Sequence, residues 1–382
     1  MLRIGITGQS GFIGTHLWNT LGLYQDKFVR VEFEDAWFGQ KKALEAFVRG
    51  CDTIIHLAAM NRHNDPQELY TTNIGLVKAI IEACEATGSI PHIIFASSTQ
   101  EERDNLYGTS KKDCRLLFEK WAEKNRAPFT GLIIPNVFGP FGKPYYNSFI
   151  ATFCHQLTHG EKPVIDNDSQ VGLIYVGELV EVIIEVAEGK GAKGESGKTD
   201  NRIENIVVGH NYEVKVTGTL SILESFMDNY VKKGILPDLT DRFTRNLFYT
   251  FVTYIDHSSF FPFNLELKTD SRGSFVETIR LNSGGQVSFS TTKPGITRGN
   301  HFHTRKAERF AVIKGKARIE LRRVGTDKVI SFDLDGMQPS FVDMPIWHTH
   351  NITNVGDEEL YTIFWISEHY DERDPDTFYE VV

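Results

Sequence analysis

Short apolar segments alternate with amphipathic segments through the first half of the chain. Residues 2–7 form an apolar run, after which apolar residues recur at helical spacing through Leu17 and Leu21. The same order continues, with strands predicted at 28–33, 53–57, 93–96 and 130–134 and helices at 43–49, 72–87 and 107–124. Alternating apolar strands and helices indicate a parallel sheet covered on both faces. The pattern predicts a doubly wound α/β domain.

The periodicity changes beyond Pro262. Further helices are predicted at 220–232 and 241–253, and they are followed by short segments with a period of two residues, such as 286–290 and 317–321. Glycines separate these segments, which is typical of a small antiparallel barrel or sandwich. The second half is therefore predicted to be all-β.

The two patterns predict two domains. The expected domains are residues 1–258 and 263–382, with the boundary inside 255–263, and 382 residues are enough for two cores. A run rich in glycine, lysine and serine, Gly189–Arg202, predicts a surface loop in the first domain.

Composition narrows the class of protein. A hydrophobic content of 41% and a charged content of 24% are ordinary for a soluble enzyme. The net charge of -9 is spread along the chain without a basic stripe, which argues against nucleic acid as the partner. No apolar run is long enough to span a membrane, and the N-terminal segment is too short for a signal peptide. We therefore expect a cytoplasmic protein whose four cysteines are small buried residues without disulfides.

The turn after the first predicted strand carries three glycines. Gly8, Gly11 and Gly14 lie between an apolar strand and a helix, within the first 15 residues. At such a turn, backbone amides and the helix dipole can hold a pyrophosphate. The position of this pattern predicts a Rossmann-like dinucleotide-binding domain.

The GxxGxxG spacing resembles that of the extended, sugar-nucleotide branch of the short-chain dehydrogenase/reductase superfamily. The resemblance continues through His56–Ala59, Asn73, Ser97–Ser98 and Tyr107–Lys111. It implies a nicotinamide cofactor held by Gly8, Gly11, Phe12, Ile13, Gly14, Arg30, Leu57, Ala58, Ala59 and Lys111.

Tyr107 and Lys111 are the candidate proton donor and its partner. They are four residues apart and share one face of a helix. An ammonium group there would lower the pKa of the phenol and can hold the nicotinamide ribose, while the tyrosine passes a proton to a carbonyl oxygen as hydride arrives. The family pattern implies that Ser98 hydrogen-bonds the substrate carbonyl, with Ser97 as the alternative.

Two features bear on how far the branch pattern applies. The branch usually has an arginine three residues before an asparagine, but this chain has Ile133 in that place before Asn136. The resemblance implies that Asn136 contacts the substrate. At the end of the second strand, Glu32 and Glu34 favour a free ribose 2'-hydroxyl and hence NADH, whereas Arg30 favours a 2'-phosphate. The local charge therefore leans toward NADH, and Arg30 keeps NADPH open.

Three histidines and a glutamate form a second candidate site, in the predicted β domain. His301 and His303 flank one residue on a predicted strand and point the same way. Glu308 follows across a short turn, and His350 comes from a later segment. This is a ligand set for Zn²⁺ or another divalent metal, and the spacing resembles the cupin motifs. Whether the metal is catalytic or structural stays open.

The same region carries a further resemblance, to the dTDP-4-dehydrorhamnose 3,5-epimerase family. The segments that carry it are Asp270–Glu277 and Lys293–His301. The resemblance implies that His301 is a base that removes a proton beside a sugar C4 ketone, and that Arg272, Phe275 and Arg298 hold the substrate. A metal bound at His301 would occupy this base, so both roles of His301 stay open.

The whole chain resembles the CapF-like family of bifunctional capsule-precursor enzymes, which join an extended reductase domain to a zinc cupin. Tyr145–Cys154 and Asp374–Phe378 carry this resemblance. It implies an enzyme that acts on a UDP-2-acetamido-2,6-dideoxy-4-keto-hexose, first by C3 epimerisation in the cupin domain and then by C4 reduction with NADPH, to give UDP-2-acetamido-2,6-dideoxy-L-talose. Because cupins often pair, we expect a homodimer. Reduction comes second because the C3 proton is acidic only while the ketone persists. The alternative is a 4-keto-sugar reductase whose cupin domain only binds ligand or dimerises.

Overall fold

The computed structural model describes residues 1–189, 202–271 and 273–382, which form two compact units. Unit 1 consists of Met1–Phe149 and Ser169–Lys215, and unit 2 consists of Ile150–Asp168 and Val216–Val382. Residues 190–201 of the predicted loop, and Arg272, lie outside the described residues.

Parallel strands form the centre of unit 1. Its strands are β1 (Leu2–Thr7), β2 (Phe28–Val31), β3 (Thr53–His56), β4 (His92–Ser98), β5 (Phe129–Ile134), β6 (Asn136–Phe138), β7 (Gln170–Tyr175), β8 (Ile203–Val207) and β9 (Tyr212–Lys215). Six of them form a parallel sheet in the order β2-β1-β3-β4-β5-β8, and β6-β7-β9 form a smaller sheet. The predicted doubly wound α/β fold is confirmed.

The helices of unit 1 cover this sheet, and further helices belong to unit 2. They are α1 (Phe12–Gly22), α2 (Lys41–Gly50), α3 (Pro66–Thr87), α4 (Leu106–Asn125), α5 (Phe149–Thr158), α6 (Val176–Ala187), α7 (Val216–Phe226), α8 (Arg242–Val252) and α9 (His257–Phe260). Two apolar clusters pack on the sheet, one including Phe95 and Phe118 and the other Ile94 and Leu179. Neighbouring β4 residues thus enter different clusters, as expected of a strand buried on both faces.

The two larger sheets of the second half are antiparallel, as its periodicity predicts. Its strands are β10 (Ile235–Leu236), β11 (Phe263–Asn264), β12 (Lys268–Asp270), β13 (Gly273–Phe275), β14 (Arg280–Leu281), β15 (Gln286–Thr292), β16 (Thr297–Phe302), β17 (Glu308–Lys314), β18 (Lys316–Arg323), β19 (Val329–Asp335), β20 (Ser340–Met344), β21 (His348–Asn354), β22 (Leu360–Ile366) and β23 (Phe378–Tyr379). Two five-stranded sheets, β11-β20-β17-β22-β15 and β19-β18-β21-β16-β23, form a cupin-like jelly roll. The short strands β10 and β14, by contrast, pair parallel.

The compact units differ from the predicted domain boundary. Residues 150–168 and 216–262 belong to unit 2, although periodicity alone assigns them to the α/β half. The cause is packing: Phe261 joins the core of the β-sheets with Phe332 and Phe341. An amphipathic helix has the same periodicity whichever sheet it covers, so the sequence pattern could not reveal this. The division into residues 1–258 and 263–382 stays a prediction.

Two further expectations concern membrane spans and cysteines. Among the described residues, no helix is both long enough and apolar enough to cross a membrane. All four cysteines are free and buried, which confirms the expectation of small core residues.

A buried ion pair fixes the helices of unit 2 to the outer face of β17. Arg309, 1% exposed, donates to Asp343 from Nε at 2.7 Å and from Nη2 at 2.8 Å, and from Nη1 to the Gly234 carbonyl at 2.6 Å. Tyr230, in a π-helical turn after α7, donates its hydroxyl to Asp343 at 2.7 Å. The guanidinium carbon lies 3.6 Å from the centroid of the Phe341 ring.

Removing one partner of this pair should destabilise unit 2. Asp343→Ala leaves the Arg309 charge buried without a counter-ion, and changes of this kind cost about 3–5 kcal/mol. We expect a lower urea midpoint of unfolding. The matched control is Asp333→Ala, which breaks the exposed Arg318–Asp333 pair and should leave the midpoint nearly unchanged. Equal shifts in both variants would contradict the assignment.

Candidate active sites

At Gly8 and Gly14, the turn from β1 into α1 leaves no room for a side chain. Gly8 has a φ of +73°, and a Cβ there would lie 2.8 Å from the Ala58 nitrogen. A Cβ at Gly14 would lie 2.2 Å from the Gly8 carbonyl oxygen. Gly11 precedes α1 and provides no side-chain cap. Backbone amides and the positive end of the helix dipole thus remain for an anion, which fits a dinucleotide pyrophosphate.

The end of β3 is held against this loop. The Leu57 amide donates to the Thr7 carbonyl at 3.1 Å, and the Thr7 hydroxyl lies 2.8 Å from Nδ1 of the buried His56. These contacts place Leu57 and Ala58 beside Gly8, as the predicted cofactor site requires. The roles of Phe12 and Ile13, which begin α1, and of Ala59, which follows Ala58, stay predictions.

Arg30 lies next to α1. Its guanidinium stacks 4.6 Å from the centroid of the Trp18 ring, and Nη1 donates to the Trp18 carbonyl at 3.1 Å. Glu32 and Glu34 are exposed nearby in the chain. Charges of both signs therefore follow β2, and the choice between NADPH and NADH stays a prediction.

Tyr107 lies at the start of α4, where the Asn105 side chain accepts from the Gly108 amide at 2.8 Å. Burial raises the pKa of Tyr107 to about 12, with a further rise from Tyr146, and a hydrogen bond with Ser98 opposes this shift. The expected lowering by Lys111 is thus not found. At neutral pH the phenol is protonated, which is the form that can donate a proton.

Lys111 lies beneath this tyrosine and is 5% exposed. Its Nζ donates to the Ala96 carbonyl at 2.9 Å and lies 6.0 Å from the centroid of the Tyr107 ring. Burial lowers the pKa of Lys111 to about 8. The ammonium is therefore close to Tyr107 but held by the backbone of β4.

The two serines at the end of β4 have different surroundings. Ser97 is 4% exposed and donates its hydroxyl to Glu101, which also accepts from Arg115 at 2.8 Å. Ser98 instead lies close enough to Tyr107 to lower the pKa of its phenol, and its hydroxyl accepts from the Gln100 amide at 3.2 Å. This geometry favours Ser98 over Ser97 as the partner of the tyrosine.

Sequence reasoning missed Tyr146 and Glu101. Tyr146 adds to the pKa shift of Tyr107, and Glu101 orients Ser97, yet neither has a spacing that marks it. Asn136, predicted to contact substrate, is exposed on β6 and donates to the Gly172 carbonyl at 3.4 Å. Its substrate role stays a prediction.

The four predicted metal ligands come together in unit 2. Each of His301, His303, Glu308 and His350 offers one ligand atom, and these atoms lie within 4.8 Å of one another. The strands explain the convergence, because His301 on β16 pairs directly with His350 on β21. His303 follows β16 and Glu308 begins β17, so a short turn returns the carboxylate to the histidines.

Three of these residues have buried atoms that fit a cation. His303 and His350 are each 3% exposed and Glu308 is 6% exposed. Their Nε2 and Oε2 atoms form no hydrogen bonds, although His350 Nε2 lies 3.1 Å from Glu308 Oε2. Burying such atoms unpaired is unfavourable, and a divalent metal would satisfy them. His301 is more exposed than the other three.

Burial and the neighbouring ionisable groups both shift the pKa values of the side chains in this cluster. Burial, followed by the neighbouring His350 and His303 rings, lowers the pKa of His301 to about 4. Burial opposes protonation of His303, but the Glu308 carboxylate and Asp376 raise its pKa overall. Burial also opposes ionisation of Glu308, yet the two buried histidines lower its pKa well below the usual value. The carboxylate is ionised at neutral pH.

A bulge in β16 determines what else faces the cluster. Asn300 has a φ of +59°, and the pairing of β16 with β21 shifts between Gly299 and His301. Arg298 pairs with Ile352 and His301 with His350, so Arg298 and His301 face the same way although two residues, one more than in a regular strand, separate them. This placement is consistent with Arg298 as a substrate contact beside His301.

Phe275 lies apart from the cluster. It is 64% exposed on β13 and lines a groove of about 320 Å³ together with Lys268, Arg309 and Phe341. Arg309 follows Glu308 on β17 and faces away from the metal ligands, because side chains alternate along a strand. The structure thus does not bring Phe275 to His301, and its substrate role stays a prediction. Arg272 lies outside the described residues.

Two known protein families match the chain, one in each half. The NAD dependent epimerase/dehydratase family matches residues 4–201, and the Polysaccharide biosynthesis C-terminal domain family matches residues 268–378. The first match covers more than half of the chain.

Similar proteins extend over the full length. A UDP-2-acetamido-2,6-beta-L-arabino-hexul-4-ose reductase from Pseudomonas aeruginosa is 32% identical, and the alignment covers 99% of this chain and 98% of the relative. The crystal structure of the capsular polysaccharide assembling protein CapF from Staphylococcus aureus is 31% identical with a TM-score of 0.62, covering 100% of both chains. RMD from Pseudomonas aeruginosa, complexed with NADPH, is 19% identical with a TM-score of 0.52 and covers 60% of this chain and 83% of its own; it shares the fold.

A side chain at Gly14 should weaken cofactor binding. In Gly14→Ala the new methyl group would lie 2.2 Å from the Gly8 oxygen, so α1 must move away from the loop. We expect the affinity for NADPH or NADH, measured by fluorescence titration, to fall by roughly 10-fold or more. Gly75→Ala, in the interior of α3 with nothing within 4 Å of the new methyl group, is the control and should bind normally. Normal binding by Gly14→Ala would argue against this loop as the cofactor site.

Proposed function

Because the chain belongs to the NAD dependent epimerase/dehydratase family and is a homologue of CapF along its length, we propose that it is a bifunctional nucleotide-sugar enzyme. Its proposed substrate is a UDP-2-acetamido-2,6-dideoxy-4-keto-hexose. Unit 2 epimerises C3 and unit 1 then reduces the C4 ketone, giving UDP-2-acetamido-2,6-dideoxy-L-talose for capsule or O-antigen synthesis. The observation that carries the proposal is the presence of a Tyr107 site and a His301 site in one chain that aligns throughout with a 4-keto-sugar reductase.

The reductase half uses a protonated tyrosine. The nicotinamide cofactor, which we expect to be NADPH, supplies the hydride. Tyr107 donates its phenolic proton to the developing C4 alkoxide, and Ser98 orients both the phenol and the carbonyl oxygen. The buried Lys111 ammonium stabilises the phenolate that remains and can hold the cofactor ribose. An aqueous proton then restores the tyrosine.

The epimerase half removes a proton from C3 with a base, stabilises the enolate, and lets a solvent-derived proton return to the opposite face of C3. A proton on C3 is acidic because the neighbouring C4 ketone accepts the charge, so this step precedes reduction. His303, Glu308 and His350 fit a metal site because their buried ligand atoms are otherwise unpaired, and the metal, which we expect to be Zn²⁺, would supply positive charge. His301 is the fourth candidate ligand, and its greater exposure favours it as the base. Arg298, on the same face, is placed to hold the substrate.

Tyr107→Phe separates the two activities. This variant lacks the phenolic proton but keeps the ring, so oxidation of NADPH with the 4-keto substrate should fall by about 100-fold or more. Deuterium incorporation at C3 in D₂O, followed by NMR, should be retained. As a control, Tyr370→Phe removes the hydroxyl from a 60% exposed tyrosine and should alter neither rate. Loss of both activities in Tyr107→Phe would count against two separate sites.

The two roles of His301 can be told apart by comparing it with His303. If His301 is the base, His301→Ala should retain most of the bound metal and lose C3 deuterium incorporation, whereas His303→Ala should lose both. Metal content per chain and the NMR exchange rate are measured on the same samples. If His301→Ala also loses the metal, His301 is a ligand and the base is another residue.

A plain 4-keto-sugar reductase, with a cupin domain that binds ligand or dimerises the chain, is the second candidate. The reductase relative favours it, since that protein's name describes reduction alone. It predicts that the unaltered protein reduces C4 without exchanging the C3 proton. Either reading is compatible with the homodimer that we expect.

A further inference from the structure

A C-terminal segment, residues 376–382, crosses both strands that carry the clustered histidines. Tyr379 on β23 pairs with His301 on β16, and the Glu380 amide donates to the neighbouring Asn300 carbonyl at 3.0 Å. The hydroxyl of Thr349, the residue before His350, donates to the Glu380 carbonyl. The segment thus contacts the chain on either side of the proposed metal centre.

Asp376 is the most enclosed part of this contact. It is 3% exposed, and its carboxylate accepts from the Thr304 amide at 3.1 Å, the Thr304 hydroxyl at 2.6 Å, the Arg305 amide at 3.0 Å and the Lys306 amide at 3.1 Å. The backbone carbonyl oxygen of Asp376 also accepts a hydrogen bond from Nδ1 of His303. One residue therefore holds both a histidine ring and the turn that follows that histidine.

These bonds determine which nitrogen of His303 faces the cluster. Because Nδ1 donates to the Asp376 carbonyl, Nε2 carries the lone pair and points to Glu308, 3.5 Å from its Oε2. His350 follows the same rule, since its Nδ1 lies 3.1 Å from the His348 carbonyl. The difference is that His348 is a neighbour in the chain, whereas Asp376 is 73 residues from His303.

The carboxylate of Asp376 also fixes the turn that leads to Glu308, a second candidate ligand. Thr304, Arg305 and Lys306 form the turn between His303 and Glu308, and the three amides that point to Asp376 fix its path. Four hydrogen bonds from neutral donors offset the burial of this charge. If they were lost, the turn would no longer hold Glu308 at a fixed distance from His303.

We propose that Asp376 is a positioning residue of the metal centre, setting the His303 ring through its carbonyl oxygen and the His303–Glu308 turn through its carboxylate. This rests on the proposed metal site. A purely structural Asp376 would stabilise the fold without affecting the affinity for metal. Partners that orient ligands typically contribute 10–100-fold to that affinity.

The test measures metal affinity separately from stability. In Asp376→Ala and Asp376→Asn we expect the Zn²⁺ dissociation constant, from competition with a chromophoric chelator, to rise about 10–100-fold, with a changed Co²⁺ absorption spectrum. The asparagine variant keeps an acceptor oxygen and should show the smaller change. The control is Asp374→Asn, two residues before Asp376, which breaks the ion pair of the 67% exposed Asp374 side chain with Arg305 and should bind Zn²⁺ normally.

The outcomes distinguish the inference from the proposed function. If the unaltered protein binds neither Zn²⁺ nor Co²⁺, the metal site itself is wrong. If it binds them and the Asp376 variants unfold at lower urea yet bind Zn²⁺ normally with an unchanged Co²⁺ spectrum, the positioning role is overturned. Should Asp376→Ala and Asp376→Asn fail to fold, Thr304→Val removes one of the four donors and is expected to weaken Zn²⁺ binding by a smaller factor; normal binding there would also overturn the inference.

Discussion

A buried carboxylate among buried imidazoles is the interaction on which the chemistry of the β unit depends. Glu308 is ionised, 6% exposed, and its Oε2 forms no hydrogen bond, while the Nε2 atoms of His303 and His350 face the same space without partners. Such an arrangement is unfavourable unless a cation fills it. The surrounding jelly roll maintains the arrangement because direct pairing of β16 with β21 brings His301 and His350 together.

The α/β unit has a different requirement: Tyr107 must keep a proton that it can donate. Burial raises the pKa of Tyr107 to about 12 and lowers that of Lys111 to about 8. The phenol therefore remains protonated until charge develops on a substrate oxygen. Under the proposed function, the two units therefore suit different stages of one reaction sequence: unit 2 removes a proton that only a C4 ketone makes acidic, and unit 1 then reduces that ketone. This order follows from the chemistry of the sugar and needs no regulation by the protein.

Periodicity and spacing predicted the features that arise within short stretches of chain. The alternation of strands and helices, the glycine loop and the His301-to-Glu308 cluster were all visible, because each follows from local geometry. Features created by distant contacts were not visible. Asp376 reaches His303 across 73 residues, and the helices of residues 216–262 carry no mark of the sheet they cover. The preference for Ser98 over Ser97 likewise depends on Glu101, whose position no spacing rule gives. Phe275 is the opposite case: a sequence resemblance implied that it holds the substrate beside His301, but the structure does not place it there.

Under the proposed function, one chain exchanges the C3 proton and then reduces C4 of the same sugar nucleotide. The most direct measurement is NMR of a UDP-4-keto-6-deoxy-HexNAc incubated with the full-length protein in D₂O, with and without NADPH. Without the cofactor, deuterium should enter C3 while the ketone persists; with it, the product should be a C4 alcohol that carries deuterium at an inverted C3. A C4 alcohol formed with its original C3 hydrogen and configuration would contradict the account and leave a reductase alone.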